Sequence, residues 1–336
     1  MKLRIGLIGL GDAWDVRHRP ALRALNDRFE VRAVCEEVAH RARQAAREFH
    51  ATTVDGFRAL AERDDVDAIL MLAPQWYGAL PILAACDAGK AIYCAAALDL
   101  QPDQARQVKQ RVEEAGVAFM AEFPRRQAAA TLRLKELLAT CLGKPRLLFC
   151  HQRMVVERPN RYPLGHHRTP QTTREMVELV DWCRYVVGSD PTFVFGTRHW
   201  ESPQGADDYQ MMSLDFSAAA PGTGPLAQIS CGRYMPARWP EAITFRPPAA
   251  LQVCCENGIA FVDLPATLVW FDDAGRHLES LDSERPVGEQ LLLQFHRAVT
   301  SLVRKTNDLE DTYRALTVVL AATKSWQTGN RVPLEF

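Results

Sequence analysis

The polar–apolar pattern of the chain changes character near residue 125. Before that point, short apolar runs alternate with amphipathic stretches. Leu3–Ile8 and Val31–Cys35 read as strands, and Ala39–Phe49 reads as a helix. Val66–Ala73 (VDAILMLA) is a compact apolar run bounded by Asp65 and Pro74, the form that a parallel strand buried on both faces takes. Ala79–Ala88 and Gln104–Ala115 read as helices stopped by Gly89 and Gly116, with a further strand at Val117–Ala121. Such alternation predicts a parallel sheet with helices on both faces.

Beyond residue 125 the helix Ala128–Leu142 ends at Gly143-Lys144-Pro145, and Leu147–Val156 is strand-like. A Pro- and His-containing loop, Arg158–Pro170, precedes a helix over Thr173–Val187 that Gly188 closes. Extended runs follow at Thr192–Trp200, Gln210–Phe216, Ala227–Tyr234, Leu251–Cys255 and Ala266–Phe271, separated by Gly, Pro and Asp turns in the manner of antiparallel strands. Gln290–Arg304 and Glu310–Thr328 read as terminal helices. The expected architecture is α/β: an N-terminal Rossmann domain, 1–124, then an α/β domain, 125–336, with an open, mainly antiparallel sheet and helices on one face. The last helices are expected to pack back on the first domain.

The composition fits this picture. The chain has 336 residues, 47% hydrophobic and 24% charged, which suits two soluble globular domains. A net charge of −1, with acids and bases mixed, gives no footing for a nucleic-acid or membrane-surface partner. The cluster Arg17-His18-Arg19 reads as a solvated helix start. No apolar run reaches membrane-spanning length, and the first apolar stretch is too short for a secretion signal. Nine cysteines without regular spacing suggest reduced thiols in a cytoplasmic protein.

Gly9-Leu10-Gly11 directly follows the first strand. Two glycines there permit a tight turn and close approach of the backbone to a pyrophosphate, with Asp12 and Ala13 leading into the helix. Glu36 ends the second strand, where a carboxylate can accept hydrogen bonds from both ribose hydroxyls and repels a 2′-phosphate. NAD is therefore favoured over NADP, with Arg41 and Arg43 keeping NADP as the lesser alternative. Trp14 stands where the dinucleotide pattern wants a third Gly or Ala. It requires another loop path or covers part of the phosphate site; the alternative is a Rossmann-like domain that no longer holds nucleotide.

Several segments, in order, resemble the glucose-fructose oxidoreductase / inositol 2-dehydrogenase (Gfo/Idh/MocA) family. Leu3–Glu37 is similar to its first strand, turn, helix and second strand. Ala73-Pro74-Gln75 resembles its Thr-Pro-Asn, where the loop touches the nicotinamide side of the cofactor. Ala88-Gly89-Lys90-Ala91-Ile92-Tyr93-Cys94 resembles Ala-Gly-Lys-His-Val-x-Cys, and Leu142-Gly143-Lys144-Pro145 resembles Ile-Gly-Lys-Pro. Ala121–Arg126, the Cys255–Ala260 turn, and Glu310-Asp311 with Ala315, Ala321 and Ser325 resemble later family segments. The resemblance implies a nicotinamide-dependent oxidoreductase acting on a small-molecule substrate, and association of copies through the open sheet.

The chain departs from the family where proton chemistry is expected. Ala95-Ala96-Ala97 replaces Glu-Lys-Pro, whose lysine is a catalytic, substrate-contacting group in the family; a methyl group can neither donate a proton nor hold charge. The helix Asp181-Trp182-Cys183-Arg184 fits the family's Asp-x-x-Arg, but Glu178 stands in place of its histidine and Arg174 in place of its aspartate. Glu178 is a candidate substitute base; the alternative is an ion pair with Arg174 one turn earlier. Trp76 and Tyr77 are candidates either for lining a substrate pocket or for packing, with Arg126, Tyr162 and Tyr234 weaker candidates. His166-His167 reads as solvent-exposed loop, and no metal site is expected.

Two functions follow as expectations. One is an NAD-dependent oxidoreductase of a sugar-like or cyclitol-like alcohol with altered proton handling. The other is a catalytically silent member, a pseudoenzyme that binds cofactor or ligand as a sensor or regulator.

Overall fold

The computed structural model describes residues 1–95, 102–156, 171–199, 209–236, 241, 245, 248–281, 285–301 and 308–336. Ala96, Ala97, Tyr162, His166 and His167 lie outside them. The chain forms two compact units, one built from residues 1–124 with 284–313 and the other from 125–166, 170–283 and 314–336.

The first unit is a six-stranded, wholly parallel sheet. Its strands are β1 (Leu3–Ile8), β2 (Phe29–Cys35), β3 (Thr52–Thr53), β4 (Ala68–Met71), β5 (Ala91–Cys94) and β6 (Phe119–Ala121), in the spatial order β3-β2-β1-β4-β5-β6. Every residue of β4 and β5 is buried, which is why these strands read as continuous apolar runs instead of alternating ones. Helices α1 (Arg19–Ala24), α2 (Ala39–Phe49), α3 (Phe57–Ala61), α4 (Pro74–Tyr77), α5 (Leu80–Asp87) and α6 (Pro102–Ala115) connect the strands. The strand order reverses between β1 and β4, and ligands of open α/β sheets bind at such a reversal, outside the strands' carboxyl ends. Gly9-Leu10-Gly11 and Ala73 sit at those two ends.

A later helix, Val287–Thr300, joins this unit. Its Leu291, Leu292 and Phe295 enter the core, with Phe295 edge-on to Tyr93 of β5 at 5.4 Å between ring centroids.

The second unit begins with α7 (Pro124–Gln127) at its boundary and α8 (Ala129–Leu137), which runs on into a π-helical turn, Leu138–Leu142. A nine-stranded sheet follows: β7 (Pro145–Val156), β8 (Phe193–His199), β9 (Tyr209–Asp215), β10 (Leu226–Pro236), β11 (Leu251–Cys255), β12 (Ile259–Asp263), β13 (Thr267–Asp272), β14 (Gly275–Ser280) and β15 (Val332–Pro333). Their order is β14-β13-β12-β11-β7-β10-β9-β8-β15, antiparallel except for the β7–β10 pair.

One face of this sheet is covered by α9 (Gln171–Val187), which packs on β7 and β10, and by α8, which packs on β12 and β13. The indole N–H of the fully buried Trp182 donates to Thr131 Oγ1 at 3.0 Å and ties the two helices together. The other face is open: Leu147, Phe149, Phe195 and Leu226 are each about two-fifths exposed. Four strands escape the sequence pattern: the two-residue β3 and β15, and β12 and β14. β12 starts straight after the Asn257-Gly258 turn, and β14 (GRHLES) is polar because it lies at the sheet edge.

Candidate functional site

The turn after β1 is shaped by two left-handed glycines, Gly9 (φ 66°) and Gly11 (φ 61°). A methyl group on Gly11 would stand 2.0 Å from the carbonyl oxygen of Leu72, so the turn lies hard against the end of β4 and only glycine fits. Asp12 is exposed on the turn, and the Ala13 carbonyl accepts from the N–H groups of Arg17 (2.9 Å) and His18 (3.2 Å).

That second bond, five residues long, opens the helix into a π turn over Trp14–His18. The widened turn explains how Trp14 replaces a glycine. Its ring is buried in the core and meets Phe49 of α2 edge-on at 5.9 Å, so it packs inward and does not lie over the glycine turn.

Glu36, one residue past β2, faces the same turn. Its Oε2 accepts the Leu10 N–H at 2.7 Å and its Oε1 accepts the Val38 N–H at 3.3 Å. A carboxylate oxygen has two lone pairs, so both oxygens keep capacity for further donors. Arg41 reaches the Gly11 carbonyl at 3.4 Å, which puts a guanidinium beside the turn. The close-packed glycine turn and the carboxylate at its rim fit the pyrophosphate and ribose of a dinucleotide.

The end of β4 continues through the buried Ala73 into α4, which opens with Pro74 and carries Gln75, Trp76 and Tyr77. Tyr77 turns toward the glycine turn: a methyl on Gly9 would meet its Cε2 at 3.1 Å, and its ring is edge-on to Phe57 at 6.4 Å. Burial first, then the neighbouring Cys35 and Glu36, raise its hydroxyl pKa above the ordinary tyrosine value. A phenol so placed is a poor proton acceptor at neutral pH, and Cys35 and Glu36 are its neighbours.

The carboxyl ends of β5 and β6 hold a buried polar cluster. Glu122, directly after β6, is 1% exposed. It accepts Arg17 Nη1 at 2.7 Å, His18 Nε2 at 2.6 Å and the Tyr93 hydroxyl. Burial opposes its charge, but His18, Arg17 and Tyr93 outweigh that and hold its pKa below the usual carboxylate value. Burial and the adjacent Glu122 raise the Tyr93 hydroxyl well above its usual value. The expectation of a solvated Arg17-His18-Arg19 start is thereby corrected: His18 is 1% exposed, because the π turn rotates it onto the sheet. The signal for this cluster was a glutamate closing an otherwise apolar strand, and a histidine and a tyrosine at core positions.

In the second unit, Glu178 of α9 pairs with Arg125, which also binds Glu175 at 2.9 Å. Burial would lower the Arg125 pKa, but the two glutamates raise it. Arg126 makes a two-pronged contact to the buried Asp181, Nε to Oδ2 at 2.7 Å, and lies over the Tyr185 ring at 5.2 Å. Arg184 binds Asp190. Tyr234 contacts His151 Nε2 at 3.0 Å, far along the sheet. Among the described residues no group of three or more His, Cys, Asp or Glu side chains converges as a metal site.

Residues 3–123 match the sequence profile of an oxidoreductase family with an NAD-binding Rossmann fold, GFO_IDH_MocA. This N-terminal part of the chain is similar to the Rossmann domain of the Gfo/Idh/MocA family. A dTDP-3,4-didehydro-2,6-dideoxy-α-D-glucose 3-reductase from Actinomadura kijaniata is 35% identical over 122 residues, 36% of each chain. An inositol 2-dehydrogenase from Cereibacter sphaeroides is 28% identical over 230 residues, 64% of each chain. The matched parts thus span less than two thirds of either relative. Among solved structures, a levoglucosan dehydrogenase in complex with NADH and levoglucosan superposes with a TM-score of 0.83 over the whole of both chains at 16% identity, a likeness of fold.

Proposed function

We propose that the protein is an NAD(H)-dependent oxidoreductase acting on an alcohol of a sugar-like or cyclitol-like small molecule. The observation that carries this is the pairing of Glu36 with the glycine turn, a carboxylate rim on a cradle that only glycine permits. Bound NAD(H) would accept or supply the hydride. The chain's part is to seat its phosphates on the Gly9–Ala13 turn, to hold its ribose with Glu36, and to border its ring with Ala73, Pro74 and Gln75. The chemistry of both curated relatives, on a sugar nucleotide and a cyclitol, supports the substrate class.

Titration of the purified protein with NADH and with NADPH, followed by quenching of tryptophan fluorescence, tests the reading. Saturable binding with NADH tighter than NADPH is expected, followed by NAD-dependent turnover of a polyol. No saturable signal with either dinucleotide overturns it.

A second reading is favoured by one observation. Glu178, in the place of the family's histidine, is held in an ion pair with Arg125, and Ala95 directly follows β5 where the family's proton-handling motif begins. This supports a catalytically silent member that binds cofactor or ligand as a sensor or regulator. Restoring both groups, with Ala96→Lys and Glu178→His, separates the two readings. Gained turnover supports a dismantled enzyme; loss of an existing activity supports altered chemistry in a working one. The open apolar face with Leu147, Phe149 and Leu226 supports a homo-oligomer, and nine irregularly spaced cysteines support a cytoplasmic setting.

A further inference from the structure

The Glu122 cluster has no place in the function proposed above, yet its burial makes it costly. A carboxylate that is 1% exposed persists only when its charge is fully met. Three donors meet it, from two elements: Arg17 and His18 from the π turn and Tyr93 from β5; the Glu122 backbone N–H separately donates to the Cys94 carbonyl at 2.9 Å and fastens the residue to β5. An ionised Glu122 fixes the His18 tautomer, since Nε2 must carry a proton to donate. His18 Nδ1 is buried and without a hydrogen-bond partner, so the ring is held through Nε2 alone.

The register gives the cluster its meaning. Cys94 pairs with Ala121, so Glu122 stands on the next rung beside Ala95 and projects to the same face as Ala95 and Tyr93. Ala95 is the first residue of the triplet that replaces Glu-Lys-Pro. The π turn to which Glu122 is fastened is the continuation of the glycine turn, and Arg17 is itself wedged against Gly288 of the Val287–Thr300 helix.

We propose that Glu122 is a positioning residue for the dinucleotide. Through Arg17 and His18 it clamps the phosphate-facing helix start to the ends of β5 and β6, and it restores, one strand over, the carboxylate missing from position 95. This rests on the dinucleotide reading of the glycine turn. Without the clamp, the Gly9–Ala13 amides lose their fixed distance from the sheet edge where the ring of the cofactor would rest.

The test compares Glu122→Gln with the relocated pair Ala95→Glu/Glu122→Ala, by amide hydrogen exchange on the cofactor-free protein, thermal unfolding, and NADH titration. In Glu122→Gln, exchange should accelerate in Gly9–Ala24 while β1 and β4 stay protected, and NADH should bind about tenfold more weakly. The relocated carboxylate should reverse both effects. Unchanged exchange in the turn, or acceleration spread evenly through the whole first unit, overturns the proposal and leaves Glu122 a generic stabiliser. So does a relocated pair that regains thermal stability without regaining turn protection. Wild-type protein that ignores NADH and NADPH sinks the dinucleotide reading instead, and the exchange arm still decides whether Glu122 fastens the turn.

Discussion

Glu36 and Leu10 are joined by a 2.7 Å hydrogen bond from the Leu10 amide to the Glu36 carboxylate, so the glycine turn and its acidic rim form one rigid piece. The rim is set before any ligand arrives. A carboxylate anchored by a backbone donor on one lobe presents its remaining lone pairs in a fixed direction, and that is what discrimination between a ribose hydroxyl and a ribose phosphate requires.

Glu36→Gln tests this. The amide keeps the size but loses the charge and half of the acceptor capacity. With Arg41 3.4 Å from the Gly11 carbonyl, the neutral rim leaves a guanidinium beside the turn that a 2′-phosphate could meet. NADH affinity should fall and NADPH affinity rise, narrowing their ratio by about tenfold or more. Paired fluorescence titrations measure it.

Gly11→Ala should cost more than an ordinary loop substitution. The positive φ of 61° alone penalises alanine by roughly 1–2 kcal/mol. The added Cβ, 2.0 Å from the Leu72 carbonyl oxygen, forces the turn away from β4. Both the unfolding temperature and NADH affinity should drop, measured by calorimetry and titration.

Trp14→Gly restores the dinucleotide pattern on paper and should damage the protein in fact. The indole is buried against Phe49, and removing a buried ring costs about 3–5 kcal/mol. The extra residue that opens the π turn would remain. Stability should fall without tighter NADH binding; improved binding would mean that the ring obstructs the phosphate site.

The sequence made the architecture legible because its signals were local. Apolar runs such as Val66–Ala73 and the Gly9–Gly11 turn declare a parallel sheet without knowledge of distant residues. Trp14 was legible only as an anomaly, since its resolution needs the position of Phe49, 35 residues on. The Glu122 cluster was hidden for the same reason: its members are separated by up to 105 residues and meet only through the β5–β6 register and the π turn. Glu178 was recognised as an ion-pair candidate, and its Arg125 partner, 53 residues away, could not be read from helix spacing.

Glu178→Ala tests that pair. Arg125 would keep Glu175 but lose one of two anions that raise its pKa against burial. Glu178 is a quarter exposed, so the loss should be smaller than for a fully buried pair, about 1–2 kcal/mol. Calorimetric unfolding should show a clear decrease. If a polyol dehydrogenase activity is found, its turnover should survive the change, because a carboxylate neutralised by arginine is a weak base.

His151 should make the second unit sensitive to mild acid. Its Nδ1 contacts Ser230 Oγ at 2.6 Å and its Nε2 contacts the Tyr234 hydroxyl at 3.0 Å. Burial first, then Arg153, lower its pKa from the ordinary 6.5. The unfolded chain therefore takes up a proton at a pH where the folded chain still refuses it. The stability that the neutral ring contributes is complete above 6.5 and drains away as the pH falls through the lower folded value. Thermal unfolding measured from pH 8 down to about 5 should show a decline beginning near neutrality that is shallower in His151→Gln. Parallel curves for the two proteins across that range would show that the imidazole titrates alike in the folded and unfolded chain.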